Sequence, residues 1–357
     1  MISRRYLLAA AAAALAFGGP AFADDYFSGQ TITMIVPFSP GGPTDVSARS
    51  FAQFWEKKIP GHPTIIVKNL PGGGGMKGFR TVYQGTKPDG LTVYWGGWNP
   101  VGAVTGDPAY QGIDYSQLAY IGSAGAQSVN IIRTAAAGGI KKPTDVMKGG
   151  FTLGGTGAAR LPDLRSRLML NMLGVKYKYV PGYRGGSKVY AALRQGEIDM
   201  MGTTLATYRS NYGPALVKSG EAIPLWYFPT VDADGVAHEN PSITDMPSVV
   251  DVYKKVKGKD PSGTEWRALK WLLFVTGKTS FFCFVPKGTP ENIVKTLQVS
   301  YQQTANDPAF KEREIKQFGA ASNFASIAEG EKIIKTYKKV DPDILALLKK
   351  YVSTITQ

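Results

Sequence analysis

Three glycine-rich stretches are the segments of this chain best suited to chemistry, and the chemistry they suit is the grip of an anion by bare backbone. The first is Pro37-Phe38-Ser39-Pro40-Gly41-Gly42-Pro43-Thr44-Asp45. A glycine pair between a strand and a helix lets main chain approach a ligand closely, because no Cβ intervenes. Thr44 or Asp45 is placed to cap the helix that follows, whose free N–H groups and positive dipole end favour a carboxylate. The second is Asn69-Leu70-Pro71-Gly72-Gly73-Gly74-Gly75-Met76-Lys77-Gly78. It invites comparison with a phosphate-binding loop, but Gly78 stands where a Ser or Thr would hold Mg²⁺, so a backbone wall built around Gly73 and Gly74 is the better reading. The third is Gly154-Gly155-Thr156-Gly157-Ala158-Ala159-Arg160. There Thr156 and the amides of Gly157 and Ala158 can receive the ligand's other end, and Arg160 can pair with a carboxylate in two-pronged fashion. Thr203 joins the expected ligand-binding set from the end of a later strand.

Side chains for covalent or metal chemistry are scarce. Cys283 is the single cysteine and lies in the apolar run Phe281-Phe282-Cys283-Phe284-Val285, which reads as a buried thiol and leaves no internal disulfide. His62 and His238 are the only histidines, scattered among prolines and loop residues. A His-based metal site or a Ser-His pair is therefore not expected, nor is a cofactor, and a catalytic residue is not assigned.

Elements must position these loops. Short β-branched runs alternate with longer amphipathic segments, which is the pattern of an α/β fold with mostly parallel strands. Strands are expected at 31–38, 64–68 and 92–97, with helices at 46–58 and 76–84, and this first unit closes near Tyr120-Ile121-Gly122-Ser123. A second unit follows, with strands at 129–133, 152–154, 177–180 and 198–201 and helices at 143–148, 161–173 and 187–194. Residues 231–264 are rich in Asp, Pro, Gly and Lys and read as a long surface excursion. A strand at 279–285 precedes helices at 291–305, 308–318 and 326–351, the last group assigned to the first unit. The expected division is 24–125 with 280–357 as lobe 1 and 126–279 as lobe 2, with ligand sites at the carboxyl ends of the strands.

Arg4 and Arg5 precede the apolar run Leu7 to Phe17 and the small-x-small site Ala21-Phe22-Ala23, the pattern of a secretory signal cut after Ala23. Ser3-Arg4-Arg5-Tyr6-Leu7-Leu8 also fits the twin-arginine pattern. Loss of both arginines and no acid lowers the formal charge from +14 to +12. With a pI of 9.6, nucleic acid would be the usual partner of so basic a chain, yet export removes it. Anionic small ligands fit better, and a periplasmic monomer is expected.

Taken in order, these motifs resemble a family. Pro37 to Asp45, Asn69-x-Pro71-Gly72-x-Gly74-Gly75, Pro88-Asp89-Gly90, the 110–121 stretch, Gly196-Glu197-Ile198-Asp199 and Phe284-Val285-Pro286-Lys287-Gly288-Thr289-Pro290 occur as in the receptors of tripartite tricarboxylate transporters, the Bug-type periplasmic binding proteins. The resemblance implies a type II periplasmic-binding fold, two α/β lobes linked by two crossing hinge strands, with a di-, tri- or aromatic carboxylate held in the cleft and passed to the membrane subunits of such a transporter. It implies a site at Ser39 through Asp45 and Gly72 through Gly75. Two departures stand out: Arg160 and Asp163 occupy positions where the family has a small hydroxyl residue and a histidine. In Trp95-Gly96-Gly97-Trp98-Asn99, moreover, Trp98 replaces a small residue and is a candidate to stack on the ligand. Rival readings are the input protein of a two-component sensor and an α/β hydrolase or transferase using the same cleft.

Overall fold

The computed structural model describes residues 26–353, so the expected signal segment lies outside the described residues. Two sheets organise the chain. The first contains β1 (Thr31–Val36), β2 (Thr64–Asn69), β3 (Thr92–Gly96), β4 (Ala119–Gly125), β12 (Phe281–Val285) and β13 (Asn323–Phe324) in the order β13-β4-β12-β3-β1-β2. The second contains β5 (Ser128–Arg133), β6 (Phe151–Gly154), β7 (Tyr177–Val180), β8 (Met200–Thr204) and β9 (Ala222–Tyr227) in the order β7-β6-β8-β5-β9. A small hairpin pairs β10 (Thr230–Val231) with β11 (Ala237–His238). In the first sheet β1 pairs in parallel with β2 and β3, while β12 runs antiparallel between β3 and β4. Both sheets are thus mixed, and two α/β lobes result.

Alternation along the strands builds a core on each face of the first sheet. Val93 and Trp95 of β3 point to one side, where Phe51 and Trp55 of helix α1 (Pro43–Trp55) pack with Tyr301. Tyr94 points to the other, against Phe79 of helix α2 (Met76–Gly85) and Phe284. Beyond α3 (Pro100–Thr105), the second sheet is covered by α4 (Leu161–Leu173) on one face and α5 (Gly186–Gln195) on the other.

Several expectations are corrected. Residues 231–264 are not all surface excursion: helix α6 (Val249–Lys257) starts at a Ser248/Asp251 capping box and buries Val249, Val252 and Tyr253. Strand β9 and helix α7 (Thr264–Gly277) are further additions: β9 is a continuous apolar run, and the apolar residues of α7 spread beyond one stripe, which blurs its period. The final helical segment is two helices, α10 (Ile327–Thr336) and α11 (Pro342–Ser353), broken before Pro342 because proline ends the preceding turn. With α8 (Glu291–Asn306) and α9 (Pro308–Phe318), α10 covers the first lobe. Helix α11 instead packs on α7 and on α3, and Ile344, Leu348 and Tyr351 join the core cluster that covers the second sheet, a placement that differs from the one expected from sequence. Chain crosses between lobes at 126–127, where β4 runs almost directly into β5, and at 278–280, where α7 leads into β12. The second crossing therefore leaves a helix, not a strand.

Leu348 is fully buried at this junction. Leu348→Ala should lower unfolding free energy by about 2–5 kcal/mol in chemical denaturation; a loss under about 0.5 kcal/mol would show that the C-terminal helix is not part of the second lobe's core.

Candidate functional site

The first loop is shaped by one carboxylate. Asp45, the third residue of α1, reaches back so that Oδ2 accepts the Gly41 N–H at 2.9 Å, while Oδ1 accepts Asn69 Nδ2 at 2.9 Å and Arg49 Nε at 3.0 Å. Asn69 also donates to the Phe38 carbonyl at 2.9 Å, so the second loop is tied to the first. Burial raises the Asp45 carboxyl, but the hydrogen bonds from Arg49, Gly41 and Asn69 outweigh it and hold the group below its ordinary range. Asp45 is therefore committed to holding the loop. Nor does Thr44 or Asp45 act as the N-cap, since that position is Gly42 and no side chain caps it. Ser39, Pro40 and Gly41 form the exposed rim, and Thr44 is buried.

The second lobe repeats the device. Asp163 is again the third residue of its helix, α4, and again follows a proline. Its Oδ2 accepts the Gly157 N–H at 2.8 Å and the Tyr179 hydroxyl at 2.8 Å. Burial dominates here: desolvation pushes the Asp163 carboxyl up to about 6, against the pull of the Gly157, Tyr179 and Thr156 hydrogen bonds and of Arg160. Thr156, Gly157 and Ala158 are thus held in a fixed turn, with Ala158 buried.

Arg160, the N-cap residue of α4, leaves that turn and enters the other lobe. Its guanidinium donates to the Tyr110 hydroxyl at 3.2 Å. Gly74 lies directly beneath: a Cβ built there would stand 1.4 Å from an Arg160 guanidinium nitrogen. Gly74 also has φ +61°, a conformation that L side chains rarely adopt. Gly73 adjoins it in the same left-handed run. A second bridge joins Asn99 Nδ2 to the Ala159 carbonyl at 3.1 Å, and the same amide donates to Tyr110 at 3.2 Å. The expected loops therefore do meet across the seam, and the arginine's own side chain fills the contact point.

Trp98 is not part of this surface. It is 2% exposed, stacked on Phe282 at 5.8 Å, edge-on to Tyr115 and Tyr337, and its indole N–H donates to Thr279. No face of it is open for a ligand to stack on. Thr203 is also buried, pointing away from the seam with Met201 on β8, whereas its neighbour Thr204 lines a cavity.

That cavity, of about 260 Å³, lies between the lobes. Pro43, Val46 and Ser47 of α1 form one wall, Thr204 and the helical run after it form another, and Gly125 to Gln127 with Gly277 and Phe281 form the floor. The first chain crossing and the residues on either side of the second are thus part of its lining. Phe38 of the first loop packs near Gly75 of the second, while Pro43, at the loop's other end, lines the cavity. Sequence reasoning missed Asn99, Tyr110 and the cavity residues; the repeated proline and aspartate at the start of α1 and α4 was the available sign of the shared turn. His62 sits in an exposed turn and His238 pairs with Asp232 at 2.6 Å on the hairpin.

Two measurements check this geometry. Asp163 has a folded pKa above its unfolded value, so it weakens the fold progressively as pH rises from about 4 to about 6. The melting temperature of Asp163→Asn relative to the parent protein should accordingly climb over that interval and flatten above it; parallel profiles would refute the raised carboxyl. Gly74→Ala should destabilise the parent by about 2–4 kcal/mol but an Arg160→Ala background by only about 1–2 kcal/mol, the backbone cost alone. Equal losses in the two backgrounds would mean that the guanidinium does not rest on Gly74.

No family profile matches the sequence. The chain is 27% identical over 304 residues to a UPF0065 protein of Bordetella pertussis, covering 81% of this chain and 80% of that one. Its fold is similar to that of the periplasmic binding protein BugD, with TM-score 0.64 and 22% identity over 90% of this chain and 97% of the other. It is also similar to MatC of Rhodopseudomonas palustris with bound malate, with TM-score 0.63 and 17% identity over 91% and 99%. The chain is a homologue of the UPF0065 proteins and has the fold of the Bug-type periplasmic solute-binding proteins.

Proposed function

We propose that this protein is an exported solute receptor that closes its two lobes on a small carboxylate and presents it to a membrane transporter of the tripartite tricarboxylate type. The observation that carries this reading is the seam itself: Arg160 of one lobe rests on Gly74 and Tyr110 of the other, and a separate cavity is lined by residues of both lobes. A carboxylate entering the seam replaces one neutral phenol as the partner of a guanidinium with a charged, two-oxygen acceptor, which is the stronger bond. Ligand that contacts both lobes favours the closed arrangement over the open one by its differential affinity for the two. The neighbour MatC, which carries malate in its structure, supports the ligand class.

Binding is proposed without turnover. The glycine turns have their aspartates engaged in holding backbone amides, and such groups position a site without activating a nucleophile. Expected partners are therefore the ligand and the transporter subunits, with export directed by residues 1–23 and the mature protein in the periplasm.

A thermal-shift series of mono-, di- and aromatic carboxylates should give saturable stabilisation, near 2.7 kcal/mol at about a hundred times Kd. Arg160→Ala should weaken the best carboxylate by about 10-fold or more. Absence of any response across the series, or turnover of an ester by the pure protein, would overturn the receptor reading.

A further inference from the structure

A second arginine joins the lobes, and it meets the same kind of partner as the first. Arg209 lies in the π-helical run Tyr208–Tyr212 that follows β8, where Tyr208 and Tyr212 belong to the second lobe's core. Its Nη1 donates to the carbonyl of Gly319 at 2.6 Å, and Gly319 is the residue that caps the end of α9 in the first lobe. Gly319 has φ +72°, and a Cβ built on it would stand 2.7 Å from both Cδ and Nη1 of Arg209. Arg160 on Gly74 shows the same two requirements, a left-handed backbone and no side chain. In both cases the second lobe supplies the guanidinium and the first lobe the glycine.

The chemistry of a helix end favours this contact. The last carbonyls of a helix have no partner within it and carry the negative end of its dipole, so a guanidinium is a fitting donor there. The other branch of the fork is held within its own lobe: Nη2 donates to Asp245 at 3.0 Å, and the nearby Ile243 and Met246 are buried in the second lobe's core. Asp245 thus aims the arginine before the lobes meet, which lowers the ordering cost of the contact. The bond also ties two walls of the interlobe cavity together, since Ser210 beside Arg209, and Phe318 and Ala320 beside Gly319, all line it. Tyr110, the partner of Arg160, and Phe310 of α9 belong to core clusters on opposite faces of the first sheet. The two arginines therefore hold elements from opposite sides of that sheet.

We propose that Arg209 is an interlobe latch, a positioning residue whose bond to Gly319 favours the closed arrangement of the ligand-free protein independently of Arg160. Parting the lobes breaks the bond, because donor and acceptor belong to different bodies. The latch rests on the lobe closure of the receptor reading and not on the identity of the solute. A solute then meets lobes already biased toward closure, and the differential affinity it must supply to complete the shift is smaller.

Distances between two nitroxide labels test it on ligand-free protein, refolded from denaturant to clear any bound solute. Lys68 on β2 and Lys188 on α5 are exposed, one in each lobe, and Lys68→Cys with Lys188→Cys supplies the labelling sites, while the native Cys283 is buried. In the parent the shorter, closed distance should predominate, and Arg209→Ala should raise the ratio of long to short distances about tenfold. Gly319→Ala should act in the same direction from the first lobe. Because that change also weakens the end of α9, Asp245→Asn supplies a variant at an exposed carboxylate, with a rise of about threefold. A parent protein that is fully open, or an Arg209→Ala ratio equal to the parent's, overturns the latch. So does a fall in melting temperature with the ratio unchanged, the mark of a merely structural arginine. The receptor reading survives those results, because it stands or falls on the carboxylate series.

Discussion

The arrangement of the seam depends on two carboxylates that never reach it. Asp45 and Asp163 each sit one turn into a helix and reach back to a glycine amide, at 2.9 and 2.8 Å. A glycine turn left to itself has many conformations of similar energy, and the cost of ordering it would fall on every binding event. With the carboxylate in place, that cost falls on folding, and the strand-to-helix corner is rigid before a ligand arrives. The two corners are equivalent in backbone terms and opposite in electrostatics. Arg49 compensates Asp45 at the surface, whereas Asp163 is sealed between its turn and Tyr179, so the same residue type ends below its ordinary acidity range in one lobe and above it in the other.

Rigid corners explain how a single side chain can decide the fit of the lobes. Arg160 leaves the second turn in a fixed direction, and the first lobe answers with an absence, the missing Cβ of Gly74, and with two polar groups, Tyr110 and Asn99. The seam is complementary in shape as well as in charge, which is why a glycine there cannot be read simply as a flexible residue. Its conformation and its lack of side chain are each required separately.

Much of this was legible in the sequence because it is written in local signals. Glycine runs, strand periodicity and the apolar stripe of α4 are local, and they gave the two lobes and placed the three loops at the strand ends. The arginine was singled out for its position at the start of a helix. What was not legible depends on distant partners. Trp98 sits in a motif that looks exposed, yet Phe282, Tyr115 and Tyr337 arrive from other parts of the chain to enclose it. Asp45 looked like a cap or a ligand contact, and only Asn69, 24 residues on, shows that it is a strut. The cavity is the extreme case, since its walls come from α1, β4, β8, α7 and α9 and no short window contains any two of them.

The departure of α11 from its neighbours has a mechanical meaning. Tyr26 and Phe27, at the start of the described chain, are fastened to the first lobe through Asp89 and the core beside β1, while Leu348 and Tyr351 are embedded in the second. A third strand of covalent connection therefore spans the two bodies at 337–341, in addition to the pair at the floor of the cleft. A third covalent connection leaves the lobes fewer relative motions than two would. The two extremities of the folded chain ride on opposite jaws, so their separation is a built-in gauge of how far the mouth is open.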